Sequence, residues 1–287
     1  MTPTQQRERL RAILAGDKCV SPASVYDPLA ARVAESVGYT FGMLAGSVAS
    51  QTTLAAPDLI VLTLTELADQ IRRIMRASDL SLLIDADHGY GNALNVMRTV
   101  QELEHSGASA ISIEDTVLPT AFGTVGKPDE LISTEEMTGK LRAGVAAKRD
   151  PSFIIFGRTS ALRAEDLTSA VQRVKAYAST GVDGMFVVGL ETVAQAKAIH
   201  DACGLPLVIG TAPASVKAPE LAAHGARILL LGHQPVAAAV KALRETYTHL
   251  FNGGAPGELR DRIASALEMG QVTGEPEYKK WQAEYLS

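Results

Sequence analysis

Short, continuous apolar runs alternate with longer amphipathic stretches along almost the whole chain. The runs lie near 40–45 (TFGMLA), 81–84 (SLLI), 109–113 (SAISI), 153–157 (FIIFG), 184–188 (GMFVV), 206–209 (PLVI) and 227–231 (RILLL), with a weaker one near 18–23 (KCVSPA). Because they do not alternate with polar residues, each predicts a strand covered on both faces, as in a parallel sheet under helices. The stretches between them, such as PLAARVAESVG, LTELADQIRRIMRAS, ALNVMRTVQELEHSG and AEDLTSAVQRVKAYASTG, carry helical periodicity, and several close on the glycine expected just past a helix end. Eight strand–helix units in about 240 residues predict an α/β fold, a (β/α)8 TIM barrel. A doubly wound open sheet is the alternative, since eight runs do not prove closure. An extra helix precedes the first strand. The segment 252–287 adds two polar helical patterns too poor in apolar residues for a core of their own. The expected organisation is a single barrel domain over 1–287 with a C-terminal helical extension at 252–287, packed on the barrel or on a neighbouring subunit.

Composition narrows the class. Hydrophobic residues make up 46% of the 287, ample for a large core, and no apolar run approaches the roughly 18 residues of a membrane span. The opening MTPTQQRERLRAILAGDK lacks the apolar stretch of a secretory signal, so export is not expected. The net charge of −5 is not gathered in a tail, and no basic patch is interleaved with aromatics, which argues against nucleic acid as a partner. Cys19 and Cys203 are far apart and form no Cys-x-x-Cys pair. They suit a reducing cytoplasm and provide neither a disulfide framework nor a thiolate metal site.

In a barrel of this kind chemistry sits at the C-terminal ends of the strands, so the first polar residues after each run are the candidates. They are Ser47, then Asp85, Asp87 and His88, then Glu114 and Asp115, then Arg158 and Thr159, and finally His233. Asp85 and Asp87, two apart, would point the same way from an extended strand end. Joined by Glu114 from the next strand, they form a hard, oxygen-only, anionic cluster suited to Mg²⁺ or Mn²⁺ rather than Zn²⁺. The competing structural reading has them capping the helix that starts near Ala93 or pairing with a basic side chain. GYGNAL lacks the third glycine of a dinucleotide fingerprint and follows an acidic loop, so Gly89 and Gly91 read as turn residues and Asn92 as a helix cap. Arg158 reads equally as a bidentate clamp on a substrate carboxylate or as an ion-pair partner of the acids across the barrel mouth. Ser47 reads as a helix cap, or as part of a turn whose backbone N–H groups bind an anion. His233 is a structural histidine or a hydrogen-bond donor to substrate. His105, His200, His224 and His249 fall on helical patterns or their ends and read as solvated.

DADHGYGNALNV, followed by ISIED and later by GRTSAL, resembles the isocitrate lyase and phosphoenolpyruvate mutase superfamily, as do SVYDPLAARVAESVGY, GSVAS and APDL. The likeness spans residues 5 to 250. It implies a (β/α)8 barrel, a Mg²⁺ ion and an α-keto acid or its precursor as ligand. By that resemblance Asp85 would ligate Mg²⁺ directly, while Asp58, Asp87 and Glu114 would hold its waters. Ser47 and its flanking backbone at Gly46 would bind the keto acid, and Arg158 its carboxylate. Members usually form homotetramers, dimers of dimers, with C-terminal helices exchanged between subunits.

The branch follows from absences. The carbon–carbon lyases carry a cysteine in a K-[KR]-C-G-H gating loop, where this chain reads LPTAFGTVGKPDELIS, and a glutamate after the sixth strand, where it reads FVVGLET. The K-x-N-S stretch of the phosphonate-processing branches is also missing. A histidine after the eighth strand resembles the oxaloacetate decarboxylase branch, while Ser160 in GRTSA replaces the family's aspartate or asparagine. The resemblance therefore implies Mg²⁺-dependent decarboxylation of an α-keto dicarboxylate, oxaloacetate, to pyruvate. The alternative is a lyase or hydrolase acting on another malate-like or phosphonate α-keto acid, of phosphonopyruvate, methylisocitrate or dimethylmalate type. A non-catalytic barrel that binds a dicarboxylate is a third reading, against which the intact Asp85, Asp87, Glu114 and Arg158 argue.

Overall fold

The computed structural model describes residues 1–287. The eight runs form eight parallel strands in chain order: β1 (Ala23–Ser24), β2 (Phe41–Leu44), β3 (Ser81–Asp85), β4 (Ala110–Glu114), β5 (Ile154–Thr159), β6 (Gly184–Val187), β7 (Leu207–Ile209) and β8 (Ala226–Leu229). Closure comes from the residues just before β1. Val20 donates its N–H to the Arg227 carbonyl at 2.9 Å, and the Leu229 N–H returns to the Val20 carbonyl at 3.0 Å. The sheet is thus a barrel rather than an open doubly wound sheet.

The first strand departs from the expected 18–23. Pro22 has no N–H to give a ladder, so pairing splits around it: Val20 bonds to β8 on one side, and Ala23–Ser24 pair with β2 on the other. Elsewhere the polar residues expected after the runs are the last residues of the strands themselves, Asp85 on β3, Glu114 on β4 and Arg158 with Thr159 on β5. Glu114 and Arg158 are register partners.

The helices are α1 (Pro3–Ala15), α2 (Pro28–Val37), α3 (Gly46–Leu54), α4 (Leu64–Ala77), α5 (Ala93–His105), α6 (Thr134–Ala147), α7 (Ala161–Ala164), α8 (Leu167–Ala178), α9 (Val193–Cys203), α10 (Ala218–Ala222), α11 (Gln234–Phe251), α12 (Ala266–Thr273) and α13 (Glu275–Tyr285). Asn92 caps α5, its side chain accepting from the N–H groups of Leu94 and Asn95. The strands and the inward faces of the surrounding helices make one cluster of 53 buried residues. The extra N-terminal helix α1 seats Leu10 and Leu14 in that cluster and reaches the base of β4 and β5 through Arg7, which donates to the Ala108 carbonyl at 3.1 Å and the Asp150 carboxylate at 2.7 Å. Beyond α11 the chain makes a 3₁₀ turn over Pro256–Arg262 and then lays α12 against α2. No helix is long and apolar enough to cross a membrane.

Candidate active site

The turn after β3 is the most constrained backbone in the molecule. Asp87, Gly89, Tyr90 and Gly91 all have positive φ, at 48°, 80°, 62° and 141°. Such conformations cost free energy outside glycine and persist where surrounding structure enforces them. Here the Asp87 carbonyl accepts the Glu114 N–H at 2.8 Å, and a side chain at Gly89 would run into Val96, its Cβ only 2.5 Å from Cγ2. Asp87 is therefore not on an extended strand end, as the spacing predicts, but wound back over it. Its carboxylate faces Gly46 at the start of α3, where an added Cβ would lie 2.5 Å from Oδ1. Gly46 leaves the room that Asp87 fills.

Asp85, Asp87 and Glu114 are buried, and Asp58 stands at the exposed rim, on the loop before α4. Asp85 accepts weakly from Ser112 Oγ at 3.4 Å and from the Asp87 N–H at 3.3 Å, while Glu114 accepts from Thr116 Oγ1 at 3.1 Å. Arg158 joins them, with Nη1 2.6 Å from Asp85 Oδ2 and Nη2 3.3 Å from Glu114 Oε2. Its guanidinium lies 5.1 Å from the centre of the Phe186 ring, and its Nε is buried without a partner. Of the two readings of Arg158 from sequence, the ion pair is the arrangement present.

The charges do not balance. Burial, then Asp85, Glu114 and Asp58, push the Asp87 carboxyl up to about 8. Burial also raises Glu114, against the pull of Arg158, and raises Asp58, helped by Asp85. Burial opposes the charge on Arg158, and Asp85 with Glu114 overrides it, so the guanidinium is held protonated. A single guanidinium among these carboxylates leaves an excess of negative charge that a hard cation would neutralise. By donor chemistry the set fits a divalent, oxygen-seeking ion. The side chains do not, as they stand, meet in a three-ligand arrangement, because Arg158 occupies the space between Asp85 and Glu114.

Ser47 and His233 complete the mouth. Ser47 is the second residue of α3 and makes no capping bond, as the N-cap position belongs to Ala45. The first backbone N–H groups of α3 thus open beside Asp87, an arrangement that favours anions. His233 lies past the end of β8 at the N-cap position of α11. Burial lowers its pKa, opposed by Asp85 and Asp58, whose charges bear on the ring. Its Nδ1 is 2.9 Å from Ser24 Oγ on β1.

Ser24 is not among the sequence candidates. The rule that found the others reaches it, as the first polar residue after the weak first run, which ends at Ala23. Asp115, a candidate without a role, is fully buried behind the site. It accepts from Thr159 Oγ1 at 2.7 Å and Tyr177 OH at 2.8 Å, with Arg173 at 3.4 Å, and so ties the end of β4 to β5 and α8. His88 is half-buried, and burial and Lys140 push its imidazole down to about 4. The segment 116–131 leaves the barrel and returns at the Thr116–Leu131 bridge, with Phe122 and Val125 exposed and Val125 lining one cavity with Leu59.

Residues 10–251 match the family described as phosphoenolpyruvate phosphomutase. The chain is 47% identical over 282 residues to an oxaloacetate decarboxylase of Bradyrhizobium diazoefficiens, covering 98% of this chain and 97% of that protein. It is 48% identical over 269 residues to an oxaloacetate decarboxylase of Rhodopseudomonas palustris, covering 93% of this chain and 92% of the other. Among solved structures, a phosphoenolpyruvate phosphomutase from Streptomyces platensis superposes with a TM-score of 0.88 at 29% identity, covering 98% of this chain and 99% of that one. A phosphonopyruvate hydrolase in complex with oxalate and Mg²⁺ superposes with a TM-score of 0.85 at 30% identity over 100% of both chains. With strand order, the Asp85–Asp87–Glu114–Arg158 cluster and full-length likeness in agreement, the chain belongs to the phosphoenolpyruvate mutase family within the phosphoenolpyruvate mutase and isocitrate lyase superfamily.

Proposed function

We propose that the protein is a carboxy-lyase that decarboxylates oxaloacetate to pyruvate and CO₂. The observation that carries this reading is His233, held at the barrel mouth where Asp58 and Asp85 bear on it, in a chain 47% identical along its length to a protein named oxaloacetate decarboxylase. Asp85, Asp87 and Glu114, with Asp58 at the rim, would hold Mg²⁺, or Mn²⁺ in its place. Such a cation supplies Lewis-acid stabilisation for negative charge growing on a keto-acid oxygen.

The chain's own residues supply the rest. The backbone N–H groups around Gly46 and Ser47 orient the keto-acid end of the substrate, and Arg158 balances its C1 carboxylate. As the C3–C4 bond breaks, C4 leaves as CO₂ and the bonding pair moves toward C2, so negative charge grows on the C2 oxygen. His233 donates a hydrogen bond either to that oxygen or to the departing carboxylate. A proton delivered to C3 then gives pyruvate.

The family's dimer-of-dimers tetramer agrees with α11, none of whose 18 residues is buried in one copy of the chain. The unpaired Cys19 and Cys203 suit a reducing cytoplasm. The chain reads as a single barrel domain over 1–287, with 252–287 as its C-terminal helical extension.

A panel of keto acids assayed with Mg²⁺, and again after EDTA, tests the function. Oxaloacetate is expected to yield pyruvate, and EDTA to stop it. Faster release of phosphate from phosphonopyruvate, or of succinate from methylisocitrate, would move the protein to another branch.

A further inference from the structure

Resting on the decarboxylase reading, we propose that Ser24 is a positioning residue that sets the hydrogen of the His233 imidazole on Nε2 and aims that nitrogen at the substrate. The contact is Ser24 Oγ to His233 Nδ1, 2.9 Å, between residues 209 positions apart. They meet only where Val20 and β8 close the barrel.

Little else orients the ring. His233 follows Gly232, whose φ is +93°, and precedes α11 with no capping bond from its side chain. Ser24 supplies its one directional contact. Ser24 is itself fixed, paired through the β1 ladder with Met43 of β2. Its hydroxyl has no other hydrogen-bond partner in the protein, and in the proposed arrangement it donates its one hydrogen to Nδ1. A neutral imidazole that accepts at Nδ1 carries its hydrogen at Nε2. Burial favours that neutral form. The ring then offers the site a donor, as a developing oxyanion or a departing carboxylate requires. The other tautomer would offer a lone pair and repel both.

The test compares Ser24→Ala, Ser24→Thr, His233→Ala and the double variant Ser24→Ala/His233→Ala in the full-length chain. Ser24→Ala is expected to lower kcat about tenfold, the cost of roughly one neutral hydrogen bond of orientation, with KM for oxaloacetate and oxalate inhibition unchanged within about twofold. Ser24→Thr, which keeps the hydroxyl, should recover most of the rate. In the His233→Ala background, removing the Ser24 hydroxyl should cost nothing more, because both act through one contact. Independently of activity, ¹⁵N NMR of histidine-labelled protein should show His233 hydrogenated at Nε2 in the wild type and as a tautomer mixture in Ser24→Ala. Hydrogen on Nδ1 in the wild type would overturn the proposal, as would an unchanged kcat in Ser24→Ala or additive losses in the double variant. Absence of oxaloacetate decarboxylation by the wild type would overturn the function instead, leaving the NMR measurement to decide the Ser24–His233 pairing.

Discussion

At the scale of single residues, the site depends on two positions whose contributions separate cleanly. In the proposed reaction His233 enters after substrate is held, so His233→Ala should leave oxalate inhibition nearly intact while kcat on oxaloacetate falls. Losing one well-placed hydrogen bond to developing charge costs about 10²-fold, roughly 3 kcal/mol. His233→Gln keeps a donor and should recover part of the rate. If both variants instead lost thermal stability and oxalate affinity together, the histidine would be structural. Gly46 acts earlier, by leaving space. A methyl group there would lie 2.5 Å from Asp87 Oδ1, so the Asp87 carboxylate would have to leave the position it now holds beside Gly46. Gly46→Ala should therefore weaken Mg²⁺ binding, measured by calorimetry, by about tenfold or more, with the melting temperature nearly unchanged. Wild-type Mg²⁺ affinity in that variant would remove Asp87 from the cation's surroundings.

At the scale of elements, α1 closes the barrel end opposite the site. Its Arg7 is buried and bonds to Asp150, which also accepts from Thr4 and Ser152. Burial alone would raise the Asp150 carboxyl, but the hydrogen bonds from Ser152, Arg7 and Thr4 outweigh it and hold the group well below the usual carboxylate range. Folding therefore releases a proton from this group in acid. The stabilisation is complete above about pH 4, where an unfolded aspartate is ionised, and drains away as pH falls toward the folded value. Asp150→Asn should cost about 1–3 kcal/mol at pH 7 and flatten the loss of melting temperature between pH 5 and pH 3, with kcat at pH 7 unaffected. An equally steep acid limb in the variant would assign the acid sensitivity to other carboxylates. The same elements mark the limit of the sequence. Asp85, Glu114 and Arg158 were legible because each ends an unbroken apolar run. Ser24 was passed over because the run before it, KCVSPA, is the weakest of the eight and breaks at Pro22. The short helix α3, GSVASQTTL, shows no amphipathic stripe to read. Nor could the order of residues reveal what Asp115 does, since Thr159, Arg173 and Tyr177 reach it from 44, 58 and 62 positions away.

At the scale of the whole molecule, α11 is where the proposed assembly would meet the proposed chemistry. It runs for 18 residues without burying one, and Val240, Leu243, Tyr247 and Leu250 lie exposed along it at 52%, 52%, 65% and 41%. Their spacing of three and four positions places them on one helical face. An apolar face of that length left to water is one that the tetramer proposed above would cover with another copy of the chain. His233 sits at the N-terminal end of this helix, so a helix that is free to move would move the imidazole as well. Leu243→Glu combined with Tyr247→Glu places two charges on that face, far from the substrate. The wild type is expected to run as a tetramer by light scattering at micromolar concentration, and the double variant as a smaller species. If packing of α11 also steadies His233, the dissociated variant should lose kcat on oxaloacetate by several-fold while oxalate inhibition and Mg²⁺ affinity stay near wild type, because Asp85, Asp87, Glu114 and Arg158 all belong to one barrel. A wild type that is monomeric with full kcat would sever assembly from the site. A dissociated variant with full kcat would leave Ser24 alone as the residue that holds His233 in place.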